Sequence, residues 1–441
     1  MDIREATREL GTFAGSLRWE ALPSSVRGRT LDVLIDTIGV TVAGARTPEL
    51  QALQRAWGPE TGPARPLGTT VRLGAASAAW LDGTAACCLE LDEGNKFARG
   101  HPAAHAVPAA LAVATERRVD GPALLGAIVA GHETAARFGA ATTLRTGFHP
   151  HGHWGTPGAA VAAARLLGVE PELVPAAIDA AAGAPLATDF RAALDGSFVR
   201  NTWIGAANSN GITAARLVRA GLGTNDGRAA GTFGELLGSL DVERLVSGLG
   251  DSFAMTTGYF KRHASCSYTH PPVDAALELL ASGVDVEAIE TIEVASHGLA
   301  MPLARVEPRT RLAAMFSIPF VVAAAFRDGR FDTRSSDEEA RRDPTIRRLA
   351  LATTVVHDPE LHARLPKERA ARVTVRLRDG SERSVEVPNP IGDADHHPFG
   401  RAELLHKLDG LLRPGEAQRI ADIVDALPVA TDVRPLLDQL P

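Results

Sequence analysis

The stretch Leu91-Asp-Glu-Gly-Asn-Lys-Phe-Ala-Arg-Gly-His-Pro-Ala-Ala-His105 interrupts an otherwise apolar, alanine-rich run. Between Leu91 and Pro102 it carries Asp92, Glu93, Lys96, Arg99 and His101 together with Gly94, Asn95 and Gly100. Gly, Asn and Pro cannot continue a core helix, and so many ionisable groups would each need a partner if buried. The sequence on both sides is helix-like. A polar loop pressed between apolar helices is where acids, bases and anion-binding groups are held at tuned pKa values. A solvated surface loop is the competing reading.

Working outward, Leu31, Leu34, Ile35, Ile38 and Val42 share one helical face, and Gly44 is expected to end that helix. Further helices are expected at about residues 75–91, 108–117 and 124–138, the last with Glu133 and Arg137 spaced for an ion pair one turn apart. Thr156 to Gly168 carries full helix punctuation: Thr156 for the N-cap, Pro157 for the first turn, Gly168 for the left-handed position after the end. Residues 205–221 form another helix. After about residue 265 the texture changes. Thr291 to His297 alternates like a strand, and Arg372 to Val387 reads as a hairpin about a two-residue Asp379-Gly380 turn. Helices at 273–281 and 312–327 and a short strand near 353–357 complete this part, and helices return at 403–412 and 416–427. The expected fold is mainly α with a second α+β domain. A large all-helical domain is built from both chain ends (1–265 and 397–441), and a smaller α+β lid domain (266–396) is inserted between them.

At 441 residues the chain exceeds what one core usually supports. Its net charge of -7 has no long block of one sign, which argues against a nucleic-acid partner or an anionic membrane surface. The N-terminus is charged from its second residue, and no uncharged stretch reaches membrane-spanning length. Three cysteines, with Cys87 and Cys88 adjacent, suit a reducing compartment, so a cytoplasmic protein is expected.

Three more polar islands stand out. In Gly147-Phe-His-Pro-His-Gly-His-Trp-Gly155, the alternation of His149, His151 and His153 would place them on one face of an extended chain and raises a metal site. No Asp, Glu or Cys nearby completes a shell, and Gly and Pro argue against a regular strand, so no metal is assigned. A histidine that moves a proton or binds an anion suits the segment better, because it leads into a helix N-terminus. For His153 and Trp154, packing is the expected role. The second island holds Arg200, able to clamp a carboxylate through paired hydrogen bonds, and Asn201. The third, Phe260 to Pro272, crowds Lys261, Arg262, His263, Cys266 and His270 at the change of texture, a natural cleft wall. Cys266 could serve as a nucleophile or as a small packed side chain. Phosphate-loop, dinucleotide and nucleophile-elbow motifs are absent. What remains is an excess of cations and imidazoles near a few carboxylates, which favours a small anionic substrate and proton-transfer chemistry.

Taken in order, these islands resemble the MmgE/PrpD family. The resemblance rests on Leu91-Asp-Glu-Gly-Asn with Gly100-His-Pro102, Gly147-Phe-His-Pro150 leading into Gly158-Ala-Ala160, and Ser265-Cys266 with Thr269-His-Pro271 and Asp274-Ala-Ala276. It implies an active site between the helical domain and the lid, a homodimer, and no metal or organic cofactor. It also implies roles. Asp92 and His101 match the acid and histidine of the family's first loop, His149 its second-loop histidine, and Lys261 its lysine at the domain border. The chain departs from the family pattern at Asp92-Glu93-Gly94, where Asp-Asp-Thr is frequent, and at Arg200, Phe320 and Cys266, where the decarboxylase branch has lysine, tyrosine and histidine.

Together these readings give a hydro-lyase acting on a small di- or tricarboxylate, most like 2-methylcitrate dehydratase. Asp92, His101, His149 and Lys261 are the expected catalytic set. Asn95, Lys96, Arg99, His151, Arg200, Asn201, Cys266 and His270 are the expected substrate contacts, and Glu93-Gly94 is the spot where an unfamiliar substrate would be read. An epimerase of an iminodisuccinate-type substrate is the runner-up, followed by a cis-aconitate-type decarboxylase. A catalytically inactive binding protein of the same fold is the reading from a different class.

Overall fold

The computed structural model describes residues 1–58 and 60–441. Two large hydrophobic cores organise it. Helix α1 (Ile3–Ser16) touches the first through Phe13, and that core is built by α2 (Ser24–Ala45), α3 (Ala75–Cys88), α4 (Pro102–Ala114), α5 (Gly121–Ala141), α6 (Gly155–Leu166) and α7 (Val199–Arg219). Val33, Leu34, Ile35 and Ile38 of α2 are buried there beside Leu124, Leu125 and Ile128 of α5 and Ile212 of α7. Small residues let these helices meet backbone to backbone. A Cβ on Gly131 of α5 would lie 2.7 Å from the Gly158 carbonyl oxygen, and one on Gly158 of α6 would lie 2.5 Å from that of Gly131. The alanine-rich texture is thus the packing surface itself.

The second core joins α8 (His270–Ala281) and α9 (Ile318–Asp328) to a four-stranded sheet of β1 (Ile289–Ser296), β2 (Thr353–His357), β3 (Ala371–Leu377) and β4 (Glu382–Val387) in the order β2-β1-β3-β4. β1 runs parallel to β2 and antiparallel to β3, which pairs antiparallel with β4. The chain then returns. Leu404 and Leu408 of α10 (Arg401–Asp409) and Ile420 and Val424 of α11 (Glu416–Ala426) lie in the first core with α2. Lys407 fastens this return, donating to Asp36 Oδ1 at 2.6 Å and to the carbonyl oxygen of Leu91 at 2.8 Å, at the head of the polar loop. Among the described residues, no helix is long and apolar enough to cross a membrane.

Several local expectations are corrected. α4 begins at Pro102 and runs through Pro108, the expected start. α6 begins at Gly155, so Thr156 lies inside its first turn and caps nothing, although Gly168 does take a left-handed φ of 74°. Ser317 splits the helix expected at 312–327 by accepting from the Phe320 amide at 3.1 Å. The β3–β4 loop has three residues, 378–380, because Leu377 pairs with Ser381 and Gly380 supplies the left-handed position at φ 83°. The Glu133–Arg137 ion pair forms as the spacing predicts, at 2.7 Å.

Candidate active site

α3 ends at Cys88, and the chain turns sharply at Glu90, whose φ is 53°. Asn95 then shapes the loop. Its side-chain oxygen accepts from the amides of Phe97 and Ala98, and its amide nitrogen donates to Ala254 O and Thr257 Oγ1. Glu93 turns inward. One oxygen accepts from the Ala103 amide at the start of α4, where a carboxylate suits the helix N-terminus, and the other meets His132 Nε2 at 3.1 Å. Gly94 lies opposite Tyr259 in a two-residue ladder, and the Tyr259 ring covers it. The Glu93-Gly94 pair therefore serves the architecture and is not open to a substrate.

These constraints deliver Asp92 and His101 side by side. His101 Nδ1 lies 2.8 Å from the Glu93 carbonyl oxygen and 3.0 Å from Asp92 Oδ2. Both neighbours are acceptors, so Nδ1 carries the proton of the neutral ring and Nε2 keeps its lone pair. Nε2 forms no side-chain hydrogen bond among the described residues. Burial pushes the His101 pKa down, and the opposing pull of Asp92 does not restore it. The ring is therefore neutral near pH 7, the state of a base. For Asp92, burial raises the pKa, but His101, Lys261 and Arg200 outweigh it and hold the carboxyl below its usual range.

Lys261 stands across from this pair, its Nζ 3.2 Å from Asp92 Oδ1 and 3.2 Å from Glu90 Oε2. Burial lowers its pKa, yet the two carboxylates overcome that and raise it, so the ammonium is permanent. Arg200, in the first turn of α7, hydrogen-bonds Glu90 through Nη1 and Asn201 Oδ1 at 3.1 Å. The same guanidinium approaches His149 Nε2 and His151 Nε2 at 3.4 Å each, and it packs 5.0 Å over the Phe316 ring. His149 is stacked on Phe190, and its ring lies 4.3 Å from that of His151. Burial first, then Arg200, drive both imidazoles well below the ordinary value.

Asp92, His101, His149, His151, Arg200, Asn201 and Lys261 are thus gathered into one buried cluster. Cys266 adjoins it, with its thiol pushed up to about 11 by burial and by Glu90, which removes the thiolate a nucleophile needs. The other expected contacts are engaged elsewhere. Lys96 is held by Asp393 at 2.8 Å and Asp395 at 2.7 Å. Arg99 is exposed and donates to the Thr142 carbonyl, Asn95 is spent on the loop, and His270 Nε2 faces the Ser265 carbonyl oxygen at 3.2 Å. His153 leaves the expected shared face and turns to the Leu186 carbonyl oxygen at 2.6 Å. Among the described residues no three His, Cys, Asp or Glu side chains are arranged to hold a metal. Phe320 packs in the second core against Phe331, and the ring from that segment that reaches the cluster is Phe316. Glu90 was not expected; a lone acid inside the apolar Cys88–Leu91 run was the available signal. His105, which supports His101 by placing Nδ1 2.8 Å from its carbonyl oxygen, was likewise unassigned.

Comparison with known proteins places the chain in a family. The model of the MmgE/PrpD N-terminal domain matches residues 8–243, and that of the C-terminal domain matches residues 263–428. The chain belongs to the MmgE/PrpD family. Among curated relatives of this MmgE/PrpD protein is a cis-aconitate decarboxylase of Aspergillus terreus, 26% identical over 473 residues that cover 98% of this chain and 95% of the relative. A cis-aconitate decarboxylase-like protein of Aspergillus oryzae is also 26% identical, over 475 residues covering 98% and 96%. Family membership and these relatives support a lyase-type enzyme.

Proposed function

We propose that this chain is a hydro-lyase that eliminates water from a small di- or tricarboxylate, with His101 as the base. The observation that carries the reading is the His101 ring: neutral, proton fixed on Nδ1 toward Glu93 O and Asp92, lone pair free on Nε2. Such a group starts a reaction by taking a proton. In this mechanism Nε2 removes the proton next to a substrate carboxylate, and the C–H electron pair becomes the new C=C bond. The hydroxyl on the adjacent carbon leaves, protonated to water by the imidazolium just formed. Asp92 stabilises that imidazolium, and Arg200 and Lys261 stabilise charge on the substrate carboxylates. His149 and His151, held neutral, supply hydrogen bonds to the substrate.

A second reading, decarboxylation of a cis-aconitate-type substrate, is favoured by the two decarboxylase relatives. Epimerisation would use the same proton abstraction. The family resemblance further supports a homodimer with a lid at 266–396 closing on a helical body from 1–265 and 397–441, and the few, unframed cysteines support a cytoplasmic location. Proton NMR of a di- and tricarboxylate panel in deuterated water tests the reading. Loss of water with a new vinylic signal supports it. Carbon dioxide release transfers the assignment to the decarboxylase, and deuterium incorporation without loss of water transfers it to an epimerase.

A further inference from the structure

One carboxylate already stands where a substrate carboxylate would be held. Glu90 directs Oε1 to Arg200 Nη1 and Oε2 to Lys261 Nζ, so one planar group spans two cations carried by different parts of the chain. All three side chains are buried, at 2% exposure or less. With Asp92 on the other side of Lys261, two carboxylates face two cations while His101, His149 and His151 are neutral. The cluster therefore has no net positive charge to offer an incoming anion, and burying an uncompensated carboxylate there would be strongly unfavourable. Glu90 meanwhile keeps a left-handed φ of 53°, a conformation that a non-glycine residue retains where its surroundings enforce it and that concentrates at functional sites.

We propose that Glu90 is a placeholder: its side chain occupies the carboxylate seat between Arg200 and Lys261, and a substrate carboxylate binds by displacing it. This rests on the reading of the cluster as a carboxylate site and adds which two cations form the seat and what competes for it. The seat accepts a group with two coplanar anionic oxygens. Glu90 then sets affinity by competition, since an incoming ligand must overcome a contact that the empty protein already makes.

Glu90→Gln keeps the shape and removes the competing charge. Titration calorimetry of the full-length protein with succinate and with tricarballylate reads the effect. The expected result is binding at least about tenfold tighter in Glu90→Gln than in the wild type, the scale of one charge-assisted hydrogen bond. Equal or weaker binding in the variant overturns the proposal, because a purely structural Glu90 would leave its cations worse placed when neutralised. Failure of both proteins to bind either acid instead removes the carboxylate reading itself. Should Glu90→Gln not fold, Glu90→Asp, too short to span both cations, replaces it, and its melting temperature should rise more steeply with added acetate than that of the wild type. Parallel curves for the two proteins sink the idea.

Discussion

Asp92 Oδ2 lies 3.0 Å from Nδ1 of His101. Because that nitrogen hydrogen-bonds the Glu93 carbonyl oxygen at 2.8 Å, the tautomer is held by the backbone, and Asp92 contributes its charge. Asp92→Asn should therefore leave His101 in place as a base but remove the charge that stabilises the imidazolium. The expected outcome is a fall in kcat of about 10²-fold with little change in KM, measured by steady-state kinetics on the substrate that the NMR panel identifies. His101→Ala should lose more than Asp92→Asn, and equal losses would assign the base role elsewhere.

His101 has a pKa below the ordinary 6.5 because burial disfavours its charged form. A base works when neutral, so activity should persist as pH falls past 6.5 and fail only at the depressed value. The acid limb of the kcat/KM profile is expected below the ordinary histidine range, and a limb at or above it would contradict the burial argument.

Stability should move with pH in a related way. His105 and His153 titrate at about 4 in the folded chain, chiefly through burial. Unfolding lets them take up protons near 6.5, so their contribution is complete above that pH and is lost as pH falls from there toward 4. Asp82, raised to about 7 by burial, has the opposite sign and loses stability as pH rises from 3.8 to 7. Burial also raises Asp36 and Asp179, but His149, His151, His270 and His297 are driven down with His105 and His153, so the imidazoles outnumber these carboxyls. Urea midpoints are expected to drop between pH 7 and pH 5, with His105 alone accounting for about 2 kcal/mol at pH 5.

Lys407 ties α10 to α2 and to the head of the site loop. Replacing it with Met leaves Asp36 buried without its cation, at a cost of about 3–5 kcal/mol by denaturant unfolding. Asp36→Asn in the same chain should recover part of that loss. No recovery would show that the Leu91 contact, and not the ion pair, carries the stability.

Gly94→Ala would set a methyl group 2.4 Å from Cζ of Tyr259. The ring has little freedom to retreat, since it is buried and Arg369 packs 4.3 Å from its centroid. A loss of about 1–3 kcal/mol is expected, read as a lowered melting temperature. Tyr259→Ala added to Gly94→Ala should cost less than the sum of the two single changes.

Periodicity and punctuation alone determined that this chain is helical, then mixed, then helical, because apolar spacing at 3.6 and at 2 residues is a local property. They also singled out the loops that carry Asp92, His101, His149, Arg200 and Lys261, since charges and imidazoles inside apolar sequence demand partners. Which of those charges stay available was not a local property. Lys96 looked like a clamp until the fold brought Asp393 and Asp395 to it across nearly 300 positions of chain. Glu90 had no role in the sequence reading and took its place only when α7 and the 260–272 segment brought Arg200 and Lys261 to it. Tertiary structure decided these roles because pairing and burial depend on what the far ends of the chain bring into contact, and both act at distances of a few ångströms.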